Sequence, residues 1–180
     1  MGPLAGTKVV EIAGIGPCPI AGMMLADLGA EVILVERKVA SENAAAVGGA
    51  TDFAYFRRGK QSIALDLKDP EAIEVVLQLV EQAEVLIEGF RPGVMERLGL
   101  GPEACLARKP SLVYGRMTGW GQSGPLSHSA GHDINYLSIT GILHYGGIPG
   151  DAPYPTPTVL GDIGSGSNML VLGILSALLH

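Results

Sequence analysis

Residues 7–37, TKVVEIAGIGPCPIAGMMLADLGAEVILVER, decide the fold of this chain. The stretch has a β-rich run at 7–12, a turn of glycine and proline, apolar residues at helical spacing over 20–28, and a second apolar run at 31–35. Gly29 stands where a glycine commonly ends a helix. A strand, a helix and a strand in this order predict a right-handed βαβ unit with two parallel strands.

The same alternation continues to the end of the chain. Further strands are predicted at 62–67, 85–87 and 111–114, and further helices at 69–83, 94–98, 101–109, 133–143 and 163–180. Asp69 followed by Pro70 and Glu71 is a typical helix start, with an aspartate cap, a first-turn proline and an acidic first turn. We therefore predict an α/β fold with a Rossmann-like, mostly parallel sheet flanked by helices. Ligands of such sheets bind at the carboxyl ends of the strands.

Composition excludes several classes of protein. The chain has 180 residues, of which 47% are hydrophobic and 17% charged, which is typical of one globular domain. The net charge of −6 without a basic block disfavours nucleic-acid binding. Cys18 and Cys105 are far apart and form no CxxC pair, so we expect a reduced, cytoplasmic setting. The apolar run at 169–179 is shorter than a bilayer span, so we predict a buried core helix and no membrane association.

The turn after the first strand resembles a dinucleotide-binding loop only in part. Gly14 and Gly16 match the first two glycines of G-x-G-x-x-G, but Pro19 stands where the third would be. That third glycine permits the close approach of helix and strand, and a proline also removes a backbone N–H. We therefore favour a helix started by prolines over NAD binding.

Basic side chains cluster at or near the predicted strand ends. Any one of them is as compatible with solvated surface as with a ligand, but together they predict a phosphate pocket in an acidic protein. The group consists of Arg37, Arg57, Arg58, Lys60, Lys68, Arg91 and Arg97.

Two motifs carry acid and base groups: AGHDINY at 130–136 and VLGDIGSGSN at 159–168. His128 and His132 are four apart, but Gly131 intervenes and no cysteine is near, so no metal site is predicted. On spacing alone, His132-Asp133 and Asp162 are as compatible with helix starts as with catalysis. N–H groups at a helix start could also hold a carboxylate or stabilise an oxyanion.

Together these segments resemble the family III CoA-transferase superfamily, and most closely its α-methylacyl-CoA racemase branch. The resemblance covers nearly the whole chain, in PLAGTKVVEIAGIGPCPIAGMMLADLGAEVILVER, RRGKQSIALDLK, VLIEGFRPGVMERLGLGPE, RMTGWGQSGP, AGHDINYLS and LGDIGSGS. GHDINY is the specific segment, because transferase members usually have a Tyr-Asp pair there without the histidine. The transferases also tend to have a glutamine in the first turn, where this chain has GIGPCP.

The resemblance implies an isomerase of lipid metabolism. It would invert the carbon α to the thioester of 2-methylacyl-CoA by proton transfer between two bases. His132 matches the base on one face of that carbon, and Asp162 matches the acid/base on the other. Donors at the start of the final helix would stabilise the enolate. No metal or organic cofactor is implied, since CoA is part of the substrate.

The resemblance also implies contacts to CoA, residue by residue. Arg37 matches a residue near the adenosine end, and Gly131 to Tyr136 would lie along the thioester arm. The full set implied to bind CoA is Arg37, Leu65, Asp66, Leu67, Lys68, Gly89, Phe90, Arg91, Arg97, Gly131, Asp133, Ile134, Asn135 and Tyr136.

Family members run to about twice this length. Residues 1–180 would be the N-terminal part of the CoA-binding large domain, without the small domain, a returning segment and a carboxylate thought to pair with Asp162. The family forms homodimers of interlocked rings. We therefore expect this chain alone to be inactive and poorly soluble.

Two other functions stay open at this stage. One is a CoA-transferase, in which Asp162 would be a nucleophile that forms an acyl anhydride. The other is a CoA-binding fragment without chemistry.

Overall fold

A computed structural model describes residues 2–38, 54–155 and 159–180. The long loop predicted at 38–60 lies largely outside these residues. The strands are β1 (Lys8–Ile12), β2 (Glu31–Arg37), β3 (Lys60–Leu65), β4 (Val85–Glu88) and β5 (Val113–Arg116). The helices are α1 (Pro17–Asp27), α2 (Pro70–Glu81), α3 (Val94–Arg97), α4 (Pro102–Arg108), α5 (Asp133–Ile139) and α6 (Asn168–Leu179). A π-helical segment, Leu160–Ser167, leads into α6, and 3₁₀ turns lie at Ala54–Arg57 and Ile142–Gly146.

The five strands form one parallel sheet in the order β3-β2-β1-β4-β5. In the register, Val9 of β1 lies beside Val32 on one side and Val85 on the other. Every residue of β4 is buried, as expected for a strand covered on both faces. The predicted α/β fold with a parallel sheet is confirmed.

Apolar residues form a core on each face of the sheet. Val9 packs in one core with Leu25 of α1 and Ile174 of α6, and its neighbour Val10 packs in the other core with Val76 of α2. This alternation follows from the two-residue period of a strand. Each such side chain stabilises the fold by about 1.5–3 kcal/mol when fully buried.

Two helix starts follow from local sequence. Gly16 has a φ of 78°, a left-handed conformation that favours glycine, and Pro17 follows at the first helical position of α1. The carboxylate of Asp69 accepts a hydrogen bond from the N–H of Glu71 at 3.0 Å and so caps α2. Both starts agree with the sequence-based predictions.

The final helix corrects two predictions. It begins at Leu160 and not at 163, so Leu160–Leu179 is continuous over 20 residues. Only Val171 and Ile174 of α6 are buried, because α6 packs on α1 and β5 along one face, and Leu172 on the other face is 55% exposed. It is therefore not a buried core helix. By length and composition alone it is the one helix in the described part of the chain that could span a membrane, which is weak evidence for a span.

A buried ion pair connects β1, β3 and α1. Lys60 Nζ lies 2.6 Å from Glu11 Oε2 and donates to the carbonyl of Pro19 at 2.8 Å, with both charged side chains almost fully buried. A Cβ on Gly22 would lie 1.8 Å from Glu11 Oε2, so the pair fits only beside a glycine. Burial raises the pKa of Glu11 to about 7, against the lowering effect of Lys60.

This pKa predicts a stability change with pH. Folded Glu11 keeps its proton to about pH 7, whereas an unperturbed glutamate releases it at 4.5, so the folded state binds more protons between these values. The free energy of unfolding should fall through this window, by on the order of 3 kcal/mol from Glu11. Urea denaturation at several pH values gives the free energy of unfolding of wild type and of Glu11→Gln. The difference between the two slopes of this free energy against pH measures the contribution of Glu11.

Glu103→Gln is the matched control, because Glu103 is exposed on α4. It should keep the wild-type slope. If wild type and Glu11→Gln have the same slope between pH 4.5 and 7, the account of Glu11 is wrong.

Candidate functional site

A cleft of about 1140 Å³ lies at the carboxyl ends of the strands. Segments that end or follow all five strands line it, at 12–15, 37, 65–68, 89–91 and 117–119. It therefore lies across the point between β1 and β4 where the strand order reverses, as expected for a doubly wound sheet.

Most of the predicted site residues lie together in this cleft. Those that line it are Arg37, Leu65, Asp66, Leu67, Lys68, Gly89, Phe90, Arg91, Gly131, His132, Tyr136 and Asp162. The roles of these residues toward a ligand stay predictions.

Four predicted CoA contacts are not among the lining residues of the cleft. Arg97 is exposed on α3, one turn from the lining residue Val94. Ile134 is 44% exposed, and Asn135 Oδ1 accepts the N–H of His132 at 2.9 Å. The fourth, Asp133, contacts the start of the final helix.

The structure brings the two predicted catalytic side chains together. His132 is the residue before α5, and its side chain is 73% exposed. Asp162 lies in the first turn of the π-helical segment, with a side chain only 14% exposed. Their closest atoms, His132 Nδ1 and Asp162 Oδ2, are 3.9 Å apart. An imidazole and a sheltered carboxyl in one cleft can take and give protons at neighbouring positions.

The surroundings of Asp162 favour its protonated form. Burial is the largest effect and raises the pKa of its carboxyl. His132 has the next largest effect and lowers this pKa, the negative charge of Asp133 raises it, and the backbone N–H of Asp133 lowers it. Asp162 therefore keeps its proton to a higher pH than an ordinary aspartate, as suits a proton donor.

Asp133 bonds to the first turn of the final helix. Its Oδ1 accepts the N–H of Gly161 at 2.5 Å and the N–H of Asp162 at 3.0 Å. These donors at the helix start are already engaged. That donors at this helix start stabilise an enolate stays a prediction.

An aromatic pair supports the loop before His132. The rings of Trp120 and Tyr136 meet edge to face at 5.0 Å, and the hydroxyl of Tyr136 donates to the carbonyl of Gly131. A Cβ on Gly119 would lie 2.1 Å from Tyr136 Oη, and one on Gly131 would lie 2.7 Å from Trp120 Nε1. Trp120 also lines the cleft. Sequence reasoning missed it, although TGWGQSGP was recognised as a rigid loop.

Glu88 is a second residue that sequence reasoning missed. It is 3% exposed, and its Oε2 accepts the N–H of Phe90 at 2.7 Å. Burial raises the pKa of its carboxyl. The bond holds the turn that presents residues 89–91 to the cleft, and the glutamate in EGFRPG was the available signal.

The polar rim of the cleft is mostly basic. Arg37, Lys68 and Arg91 line it together with two carboxyl side chains, Asp66 and Asp162. Guanidinium and ammonium groups bind phosphate oxygens well. Among residues 2–38, 54–155 and 159–180, no three His, Cys, Asp or Glu side chains are grouped to hold a metal ion.

Comparisons with known proteins agree with this geometry. Residues 4–180 match the model of CoA-transferase family III. The chain is 47% identical over 175 residues to alpha-methylacyl-CoA racemase of Mus musculus, covering 97% of this chain and 43% of that protein. It is 35% identical to succinyl-CoA:glutarate CoA-transferase of Mus musculus, covering 92% of this chain and 39% of that protein. A crystal structure of a CAIB/BAIF family protein from Brucella suis superposes with a TM-score of 0.87 at 35% identity, covering 99% and 49% of the two chains. This chain thus spans less than half the length of these relatives.

The tight contact at Gly119 predicts a stability effect. Gly119→Ala should lower the free energy of unfolding by about 1–3 kcal/mol, because the new methyl group overlaps the Tyr136 hydroxyl. Gly173→Ala in α6 is the matched control, since a Cβ there meets nothing within 4 Å. It should raise the stability by about 0.5–1 kcal/mol. Equal urea midpoints for the two variants would contradict the packing at Gly119.

Proposed function

Because this chain belongs to CoA-transferase family III, we propose that it binds an acyl-CoA thioester and moves the proton at the α-carbon. The substrate would be a 2-methylacyl-CoA, and the reaction inversion of its configuration by two acid/base groups. The observation that carries the proposal is the facing pair of His132 Nδ1 and Asp162 Oδ2 in the cleft. The 47% identity to a racemase supports the same reaction.

The basic rim of the cleft fits the phosphates of CoA. Arg37, Lys68 and Arg91 lie at or after the ends of β2, β3 and β4. Phosphates held there would leave the pantetheine arm to run toward Gly131 and His132 at the other side of the same cleft. A thioester would then lie near the two acid/base groups.

The proton transfers balance between the two side chains. A thioester acidifies the adjacent C–H, so neutral His132 takes the α-proton and the electron pair moves onto the thioester oxygen. Protonated Asp162 then gives a proton to the opposite face, and the new C–H bond restores the thioester. The reverse direction uses the carboxylate of Asp162 and the imidazolium of His132. Each group is worth about 10²–10⁴-fold in rate.

A substrate carbon between these groups requires them to separate. Reacting atoms approach to about 3–3.5 Å, so a carbon flanked on both faces needs roughly 6–7 Å between the bases. The pair is 3.9 Å apart. The imidazole of His132 is 73% exposed, whereas the side chain of Asp162 is packed at 14% exposed. We expect His132 to be the partner that moves.

The transferase alternative uses the same aspartate as a nucleophile. The 35% identity to a succinyl-CoA:glutarate CoA-transferase favours it. In that reaction the carboxylate of Asp162 attacks the thioester carbonyl, an acyl anhydride forms and CoA leaves as its thiolate. His132 beside it has a clear task only in proton transfer.

The homodimer, the cytoplasmic setting, the lack of a cofactor and the lack of nucleic-acid or membrane partners stay predictions.

Replacement of the proposed base tests the chemistry. In D₂O, with a 2-methylacyl-CoA and no acceptor acid, a version of the protein that spans the full length of its relatives should place deuterium at the α-carbon. His132→Ala should lower this rate by about 10²–10⁴-fold, because it removes one of two acid/base groups. NMR of the recovered thioester measures the exchange, and calorimetry should give a CoA dissociation constant changed by less than about threefold.

His128→Ala is the matched control, since His128 is exposed in the same loop but does not line the cleft. It should keep the wild-type rate. Exchange that survives in His132→Ala contradicts the assignment of the base. CoA transfer that depends on an acceptor acid, without α-exchange, supports the transferase instead. CoA binding with neither reaction supports a binding fragment.

The basic rim is tested by CoA affinity. Arg37→Ala and Lys68→Ala should each weaken CoA binding by about tenfold, because each loses a charge-assisted bond to phosphate. Arg108→Ala is the control: its guanidinium bonds to Glu74 and Glu81, away from the cleft. Titration calorimetry at low and high salt measures the effect. Equal losses in all three variants would contradict a phosphate site at Arg37 and Lys68.

A further inference from the structure

We propose that Asp133 is a positioning residue, whose carboxylate sets the place of Asp162 relative to His132 by joining the first turns of the two helices that carry them. Asp133 directly follows His132 and is the first residue of α5. Its Oδ1 accepts the N–H groups of Gly161 and Asp162. The role in catalysis rests on the proposed function above.

Two helix starts face each other at this point. The first N–H groups of a helix have no acceptor within that helix, and the end carries partial positive charge. The first turn of the π-helical segment therefore has N–H groups that need an acceptor from elsewhere. Asp133 Oδ1, from the first residue of α5, accepts two of them.

Gly161 permits the close approach of the two helices. A Cβ at position 161 would lie 3.1 Å from Asp133 Oδ1 and 3.3 Å from Tyr136 Cβ. Both distances are tighter than ordinary contacts. A side chain at 161 would therefore press on the carboxylate and on α5, and Gly161→Ala gives a second way to disturb the same contact.

The contact holds the backbone of Asp162 in place, while the side chain of His132 is mostly exposed. Asp162 is held through its own N–H and that of its neighbour, and its side chain is 14% exposed. The backbone of His132 is bonded at both its N–H, which donates to Asn135 Oδ1, and its carbonyl, which accepts the N–H of Asn135, while its imidazole is 73% exposed. A substrate can thus displace the imidazole without moving the acid. The charge of Asp133 adds to this, since it raises the pKa of Asp162.

Amide hydrogen exchange tests the contact in the chain itself. In Asp133→Ala, the N–H groups of Gly161 and Asp162 should exchange roughly 10–100-fold faster, since each loses a bond to a charged acceptor. Asp133→Asn keeps an acceptor oxygen, so the two amides should stay within about threefold of wild type. NMR titration should still show a lower pKa for Asp162 in this variant, because the charge is lost.

Asp69→Ala is the matched control, because Asp69 caps α2 by the same kind of bond to Glu71. It should speed exchange at Glu71 and leave Gly161 and Asp162 unchanged. Gly161→Ala should speed exchange at Asp162 even where Asp133→Ala folds poorly. Unchanged exchange at Gly161 and Asp162 in Asp133→Ala overturns the proposal.

The catalytic role is tested by α-exchange of a 2-methylacyl-CoA. Asp133→Ala should lower kcat by about 10–100-fold with KM within about threefold, and Asp133→Asn should recover most of kcat. In Asp133→Asn, the part of the pH profile of kcat that reports the titration of Asp162 should move to lower pH. A wild-type rate in Asp133→Ala overturns the positioning role alone. A wild-type protein that spans the full length of its relatives and never exchanges the α-proton overturns the proposed function, and the catalytic role of Asp133 falls with it.

Discussion

Parallel pairing in the order β3-β2-β1-β4-β5 is the constraint from which the rest of the structure follows. It brings five strand ends to one edge of the sheet, so side chains more than 100 residues apart in sequence line a single cleft. It also requires strands that are apolar on both faces, which is why β4 is wholly buried. Near the acid/base pair, a carboxylate from the start of α5, Asp133, bonds to the first turn of the final helix.

Sequence patterns predicted the helices and strands well where helix-start residues and the spacing of apolar residues indicate the same element. Examples are the helix that begins after Asp69 and the elements in residues 7–37. The fifth strand was placed at 111–114, but it runs over Val113–Arg116. Gly115 lies inside β5 and is a packing residue, since a Cβ there would lie 3.0 Å from Leu170 and 3.2 Å from Ile87. That reason involves a helix far along the chain, which local sequence does not reveal.

The sequence predicted most cleft residues that follow the strand ends, but fewer of those in AGHDINY. Consecutive residues of a helix point in different directions, so one motif cannot present all of its side chains to one cleft. Gly131, His132 and Tyr136 line the cleft, while Asp133 bonds to the final helix and Ile134 is partly exposed. The buried carboxylates Glu11 and Glu88 were also missed. Their partners, Lys60 and the N–H of Phe90, become neighbours only after the chain has folded.

The central claim is that two groups, His132 and Asp162, act on opposite faces of one carbon. The most direct measurement uses a single enantiomer of a 2-methylacyl-CoA in D₂O, with the label followed in both enantiomers at early conversion. Two acid/base groups on opposite faces predict deuterium in the inverted product and hydrogen in the remaining substrate. An inverted product that retains the substrate's own hydrogen, or a thioester that never gains deuterium, would contradict the account.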